Sequence, residues 1–475
     1  MDLRPAVVET MDDLLAAVDE YAKDAEDGTW VIGQGYDQNY LGAHPTAEEL
    51  DKVSHGHPVY LVHNSRHMGV ANTKAFEIAG YPERKDVPSP EGGDVPADDD
   101  GRAQGLLQET AKSIVTDHIP VPTADDVANI IATGSQQVLD LGITSITEPG
   151  IGAPDHIGIS RFDLAGYQIA RDSVRLGVRA TVMPYLTTLH ELGDAEVNGH
   201  PLYTLDLGLR TGMGDDQLRI GPTKVLSDGS LIGRSAFMCC DYAADLAEGT
   251  ENRGYLQFPD SMLRERLIGA HLAGWQLAVH AIGDAAVDTI LDIIAEAQSI
   301  LPRDDARHRL EHVSVISDEQ IARIRELGLT VVPQGRFIPE LGDGVIEAVG
   351  EERLPLVYRA KGFLDQDVEI AGSTDAPVVA ADPILNIAAL VNRRTAKGRD
   401  FVPEERITVE QAVHAYTVGS AKAVRQEADK GSLAHGKLAD FTVLSEDIFT
   451  VAPEAIEDVS VTATVVGGRV MAGEI

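Results

Sequence analysis

Residues 218–236 read LRIGPTKVLSDGSLIGRSA, a short apolar run that places Lys224 near its end and then breaks at Asp228-Gly229-Ser230. This pattern predicts a strand followed by a loop. A lysine at the end of a buried strand is unusual, because taking an ammonium group out of water is costly unless a neighbour neutralises it. Taken alone, Lys224 is more simply interpreted as a lysine that reaches solvent or pairs with a carboxylate.

Three further polar residues stand in equivalent places along the chain. His280 lies in QLAVHAIGD, His312 in HRLEHVSV and Asp375 in VEIAGSTDAP. Each ends a strand-like run, and each run is followed by a helix-like segment. Four polar residues at the ends of successive strands favour one shared site over four separate explanations.

The chain from residue 143 onward alternates apolar strands with amphipathic helices. Strands are predicted near residues 143, 179, 218, 276, 308, 329 and 368. This alternation predicts a parallel α/β sheet covered by helices. Polar residues at several strand ends favour a (β/α)8 TIM-type barrel over an open sheet, whose ligands gather at one switch point. Seven strands are one short, so the first barrel strand is predicted to be missing, with residues 58–65 (PVYLVHNS) as the alternative eighth.

Sequence signals at helix ends and composition shifts divide the chain. Four pairs resemble helix-starting capping boxes: Thr10 with Asp13, Thr123 with Asp126, Ser317 with Gln320, and Thr408 with Gln411. We expect residues 1–425 to form the barrel domain, with an inserted subdomain at about 25–110. Two strand-like runs without an intervening helix, ADFTVLS and VSVTATVVGGRVMAGE, predict that residues 426–475 form part of a small β-sandwich.

Composition restricts the class of partner. The chain has 475 residues, a hydrophobic content of 43% and a formal net charge of -37. The acidic balance argues against nucleic acid, and no apolar run is long enough to cross a membrane. Two adjacent cysteines, Cys239 and Cys240, provide no disulfide framework. We therefore predict a cytoplasmic protein with a small-molecule substrate, while a homo-oligomer remains open.

These segments together resemble the amidohydrolase superfamily, in the type-3 branch that includes N-substituted formamide deformylase-like enzymes. The resemblance covers nearly the whole chain. It is carried by KVLSDGSLIGRSA, VHAIGDAAV, LEHVSV and GSTDAPV, by RHMGVANTKAF and GLLQETA nearer the start, and by GSLAHGKLADFTVL and TVVGGRV near the end.

The resemblance implies a metal site and a reaction. Lys224 would be a carboxylated lysine that bridges two divalent metal ions, most simply zinc, with manganese or iron as alternatives. His280, His312 and Asp375 would be metal ligands. Metal-bound hydroxide would attack an amide or N-formyl carbonyl, cleaving a non-peptide C–N bond, with Asp375 as general base and then acid.

One part of the family pattern is absent. The family places a His-x-His pair at the end of its first barrel strand, and the start of this chain resembles the segment immediately after that pair. We therefore expect the native polypeptide to begin upstream. Otherwise the site holds one metal or is impaired, and the protein is a small-molecule-binding relative without catalysis; a mononuclear deaminase is a further alternative. His55-Gly56-His57 has the spacing but precedes a strand, so we do not expect it to bind metal.

Substrate identity cannot be predicted from the loops. The residues that could contact substrate are His67, Asp228, Arg234 and Gln334. Asp284 is expected to be a helix N-cap, and Cys239 and Cys240 to pack rather than bind metal. Glu311 is expected to be structural, because it should point away from His312 along the same strand.

Overall fold

The computed structural model describes residues 1–4, 7–63, 68–90, 93–154, 156–243 and 251–475. The chain divides into two compact units, Met1–Val121 (unit 1) and Pro122–Ile475 (unit 2). The predicted domain division, with a subdomain at about 25–110 and a sandwich portion at 426–475, stays a prediction.

Unit 1 contains a mixed sheet with short helices. Its strands are β1 (Val31–Tyr36), β2 (Val59–His63), β3 (Met68–Ala71), β4 (Gly93–Asp94) and β5 (Leu106–Glu109), and its helices are α1 (Met11–Asp24), α2 (Gln38–Leu41), α3 (Ala47–Val53), α4 (Thr73–Ile78) and α5 (Ser113–Thr116). The strand order is β1-β2-β3-β5-β4. β2 pairs with β1 on one edge and with β3 on the other. The suggestion that residues 58–65 supply the eighth barrel strand is therefore wrong.

Unit 2 contains strands at the predicted apolar runs and two strands, His190–Val197 and His200–Thr204, that were not predicted. They are β6 (Ser145–Ile151), β7 (Arg179–Pro184), β8 (His190–Val197), β9 (His200–Thr204), β10 (Leu218–Ile220), β11 (Thr223–Leu226), β12 (Leu277–Ala281), β13 (Arg309–His312), β14 (Thr330–Val332), β15 (Phe441–Leu444), β16 (Val461–Val466) and β17 (Arg469–Gly473). β8 and β9 form a separate antiparallel pair.

The parallel strands of unit 2 follow one another in chain order. β6, β7 and β10 form one parallel sheet, and β11 to β14 form another. A parallel bridge from Tyr185 to Lys224 joins the two sheets, and bridges from Val331 to Ile370 and from Gln334 to Ser373 add a last strand position. Because β10 and β11 both lie beside β7 and the residue that follows it, they count as one position, and seven successive parallel positions are present in the described part of unit 2. The α/β class is confirmed, while closure into a barrel stays a prediction.

One predicted strand is split in two. The run LRIGPTKVL forms β10, which pairs with β7, and then β11, which pairs with β12. The break falls at Gly221-Pro222, where proline has no N–H to donate to a ladder. Lys224 lies on the second part, β11, which is adjacent to the strand of His280.

The helices of unit 2 bury the faces that their periodicity predicts. They are α6 (Ala124–Asp140), α7 (Asp163–Asp172), α8 (Asp260–Leu272), α9 (Asp284–Ile300), α10 (Asp318–Glu326), α11 (Phe337–Val349), α12 (Ala360–Asp365), α13 (Pro383–Asn392), α14 (Val409–His414) and α15 (Ser420–Ala423). α9, for example, buries Val287, Ile290, Leu291 and Ile294. All four predicted capping boxes are formed.

The C-terminal strands β15, β16 and β17 form an antiparallel sheet. Threonine hydroxyls fasten it to the end of α6: Thr442 donates to the Gly142 carbonyl and Thr464 to the Leu139 carbonyl, each at 2.6 Å. Arg179 of β7 also forms a buried two-point ion pair with Asp440, at 2.5 and 3.0 Å. The sheet is therefore anchored to the amino-terminal side of the parallel strands. No helix among the described residues is long and apolar enough to cross a membrane.

Candidate metal centre

The four predicted site residues lie on adjacent strand positions. Lys224 is on β11, His280 on β12 and His312 at the end of β13, while Asp375 comes directly after the last parallel position. Register places Leu226 opposite His280 and Ala281 opposite His312. Carboxyl ends of neighbouring parallel strands share one edge of a sheet, so these side chains face a common region.

The two histidine rings are close and have defined tautomers. Their centroids are 4.6 Å apart, with the rings nearly perpendicular. His280 donates from Nε2 to the Gly229 carbonyl at 2.9 Å. His312 donates from Nδ1 to Oε1 of Gln334 at 2.8 Å, and the Gln334 amide is oriented by its own donation to the Val332 carbonyl. The unprotonated nitrogens are therefore Nδ1 of His280 and Nε2 of His312.

Lys224 is 5% exposed and shares its surroundings with two carboxylates. Burial lowers the pKa of its ammonium, against the charges of Glu311 and Asp375, which favour protonation. Burial likewise raises the pKa of Asp375, against the charges of Lys224 and His280. Both shifts favour neutral forms, which suits groups that exchange protons or accept new bonds.

Glu311 also faces this region, which corrects the expectation that it points away. Burial raises its pKa, but the charges of Arg309 and Lys224 outweigh burial and hold the pKa below its usual value. Arg309 donates to both carboxylate oxygens, at 2.6 and 3.0 Å. The period-two rule fails here because His312 and Val313 have φ angles of 73° and 48°, so neighbouring side chains no longer alternate. Arg309 and Glu311 are site neighbours that sequence reasoning missed.

Asp228 holds together the loops around His280. It is fully buried, and its carboxylate accepts backbone N–H groups of Phe237, Ile282 and Gly283 at 3.0, 3.0 and 2.9 Å. One of its oxygens lies 3.3 Å from Nε2 of His280. The loop after β11 is thereby tied to the turn between β12 and α9.

The remaining predicted residues have varied surroundings. Asp228 and Gln334 are buried and engaged by protein groups, the backbone carbonyl of Arg234 accepts from Asn252, and His67 lies outside the described residues. Their substrate contacts therefore stay predictions. The N-cap of α9 is Gly283, so the expectation for Asp284 is wrong. Asp284 is the first residue of the helix, and its carboxylate accepts the backbone N–H groups of Ala285 and Cys239.

The other cysteine and histidine candidates are accounted for separately. Cys239 is exposed and Cys240 half-buried, with sulfur atoms 3.3 Å apart. In unit 1, His55 bonds Asp19 and His57 bonds the Thr29 carbonyl. Both rings of the His-x-His spacing are thus engaged by protein groups within that unit.

The donor types at the strand ends fit a divalent cation. Two imidazole nitrogens with available lone pairs and the Asp375 carboxylate are the ligands that zinc and similar ions take. Nevertheless, across the described ranges no group of three or more His, Cys, Asp or Glu side chains is close enough to hold a metal ion. The centre fits a metal in its chemistry, but these acidic, histidine and cysteine groups do not complete a coordination shell.

Comparison with known proteins gives consistent results. A family model described as "Amidohydrolase family" matches residues 1–472. The chain is 29% identical over 471 residues to Protein LONG AFTER FAR-RED 3 of Arabidopsis thaliana, covering 97% of this chain and 77% of that protein. It is 25% identical to the N-substituted formamide deformylase of Arthrobacter pascens, covering 97% and 82%. A metal-dependent hydrolase from Pyrococcus horikoshii matches with a TM-score of 0.73 and 27% identity, covering 95% and 83%.

Proposed function

Because this chain belongs to the amidohydrolase family, we propose that it is a metal-dependent hydrolase that cleaves a non-peptide C–N bond in an amide or N-formyl amine. The observation that carries the proposal is the histidine pair, with rings 4.6 Å apart and unprotonated nitrogens fixed by Gly229 and Gln334. The named activity of the deformylase relative and the metal dependence of the Pyrococcus relative support it.

Each side chain has a proposed role. Nδ1 of His280, Nε2 of His312 and the Asp375 carboxylate would hold the cation. A bound divalent cation would supply Lewis acidity and lower the pKa of a water molecule to about 7. Asp375 takes a proton from the attacking water and delivers it to the leaving nitrogen. Its raised pKa brings it closer to neutral pH, where a carboxyl group can perform both halves of that transfer.

Lys224 is proposed to become a further oxygen ligand. Its neutral amine attacks carbon dioxide, an N–C bond forms, one proton is released, and the product is an anionic carbamate. Burial supports this step because it favours the neutral amine, and the resulting anion would offer oxygen ligands to one or two divalent cations, most simply zinc. The proposed reaction takes place at the mouth of a closed TIM-type barrel formed by residues 1–425. Residues 426–475 would form part of a β-sandwich. We propose the cytoplasm as the location of the protein.

The second candidate function is small-molecule binding without catalysis. The observation that favours it is the absence, among described residues, of a cluster of three or more His, Cys, Asp or Glu groups around a metal position. The two candidates differ in metal content and in turnover.

Metal analysis and activity on one preparation separate them. The purified chain is analysed for bound metal and assayed on a panel of N-acyl and N-formyl amines with and without added zinc. We expect at least one metal per chain and zinc-dependent release of amine. The variants His280→Ala and His312→Ala should lose metal and lower activity by roughly 100-fold or more.

The matched control is His190→Ala, since the His190 ring is exposed and hydrogen-bonds to Asp206 and to the Glu191 carbonyl, not to any of the four proposed site residues. It should retain both metal and activity. A wild-type protein that binds panel amides but holds no metal and releases no amine would support the binding function and refute the hydrolase.

A further inference from the structure

A cleft of about 670 Å³ opens beside the carboxyl ends of β6 and β7. Its apolar walls are formed by Ile151, Leu164, Pro184 and Leu205, and its polar groups include His156 and Arg161. Small-molecule sites are usually concave and mainly apolar, with a few polar groups that fix orientation. This cleft has that character.

One buried carboxylate holds three backbone positions beside the cleft. The buried carboxylate of Asp163 accepts the backbone N–H groups of Gly152, Ile159 and Ser160 at 2.9, 3.2 and 2.8 Å. The His156 ring stacks on the fully buried Tyr185 ring, with centroids 4.5 Å apart and planes 22° apart. The cleft is therefore preformed, and His156 presents a flat platform that needs little reorganisation to bind a ligand.

Two connections place the cleft next to the candidate metal centre. Tyr185 pairs with Lys224 by a parallel bridge. The loop after β11 provides the second connection, because Leu256 pairs with Asp228 and Phe258, two residues later, lies 5.6 Å from the His156 ring. A ligand on the His156 platform is thus one strand position away from Lys224.

Arg161 places a positively charged side chain in the lining of the cleft. It is exposed and forms no ion pair with any side chain in the described ranges, although the chain has 76 acidic residues and 39 Lys and Arg residues. The nearest acidic residue in the following helix, Asp163, is buried and occupied by backbone amides. A guanidinium group that has no ion pair among the described side chains is well suited to bind a carboxylate through two parallel hydrogen bonds.

From these observations we propose that the cleft selects the substrate: an amide that carries a carboxylate and a flat apolar group. The flat group packs on His156 between the apolar walls, and Arg161 binds the carboxylate. The scissile bond is directed toward Lys224 and the histidine pair. This proposal rests on the proposed hydrolase function for its last step, but the binding it describes does not require turnover.

A matched pair of probes tests the selection. N-formylphenylalanine, as both enantiomers, and N-formylphenethylamine differ only in the carboxylate, and their binding to the full chain is measured by titration calorimetry. We expect the wild type to bind one enantiomer of the acid at least tenfold more tightly than the neutral amide. Arg161→Gln should reduce that ratio to about twofold or less, and His156→Ala should weaken both probes by a similar factor.

Arg175→Gln is the control, because it also removes one positive charge, from an exposed arginine held by Ser173 and Asn129. It should preserve the preference for the acid. Equal binding of the two probes by wild type, binding of neither, or an equal loss in the Arg175 variant would overturn the proposal. Turnover of the probes is scored separately, so a retained preference without hydrolysis would refute the hydrolase function and leave the cleft assignment standing.

Discussion

Replacing Asp228 with alanine removes the acceptor of three buried backbone N–H groups, those of Phe237, Ile282 and Gly283. Alanine offers these N–H groups no acceptor, and a buried N–H without a partner costs about 1–3 kcal/mol. Three such groups sum to roughly 3–9 kcal/mol. Because a folded domain is stable by only about 5–15 kcal/mol, Asp228→Ala should remove a large share of the stability of unit 2.

Asp228→Asn should destabilise unit 2 less than Asp228→Ala does. Asparagine keeps the volume and one carbonyl oxygen, so it can satisfy the N–H groups of Phe237 and Gly283, which share one carboxylate oxygen. The N–H of Ile282 then faces an amide NH2, and the expected loss is about 1–3 kcal/mol. If the carboxylate supports the backbone, the free energy of unfolding should therefore be highest for the wild type, lower for Asp228→Asn and lowest for Asp228→Ala.

Tryptophan fluorescence during urea unfolding can report unit 2 alone. The chain has two tryptophans, Trp30 in unit 1 and the fully buried Trp275 in unit 2. In a Trp30→Phe background the signal comes from Trp275. The control is Asp288→Ala, which removes an exposed ion pair with Arg323 and should cost at most about 1 kcal/mol. If Asp228→Ala destabilises unit 2 no more than Asp288→Ala does, the reasoning is refuted.

Two further predictions concern parts of unit 2 remote from the metal centre. Burial lowers the pKa of both His271 and His308, so the folded protein keeps them neutral. In the unfolded chain these two histidines bind protons below the ordinary histidine pKa of about 6.5. The free energy of unfolding should therefore fall as the pH drops below that value. Urea midpoints measured at several pH values should fall less steeply for His308→Gln than for the wild type. Asp440→Ala leaves Arg179 as a buried cation without a carboxylate and should cost about 3–5 kcal/mol; an unchanged urea midpoint would show that water already reaches the pair.

Local sequence signals predicted much of unit 2. The seven parallel strand positions and the four capping boxes depend on short-range periodicity and on side chains three residues apart. The adjacency of Lys224, His280 and His312 followed from the same alternation, since parallel strands connected in sequence usually lie side by side.

Features that depend on backbone detail or on distant pairing were not predictable in this way. The sheet of unit 1 pairs β3 with β5 and places β4 at its edge, an order that no local pattern encodes. The orientation of Glu311 depends on positive φ angles at His312 and Val313. The assignment of the N-cap to Asp284 was one residue too late, because Gly283 has the extended backbone of an N-cap and Asp284 is already helical, a difference in backbone angles that residue type alone does not specify.

The opposite tautomers of the two site histidines have a consequence for protein engineering. At position 280 the nitrogen left unprotonated is attached directly to Cγ, the same number of bonds from the backbone as the amide oxygen of asparagine. At position 312 it is one bond farther out, where the oxygen of glutamine would lie. A library of amide replacements should therefore favour asparagine at position 280 and glutamine at position 312. The reverse pairing should serve as the negative control.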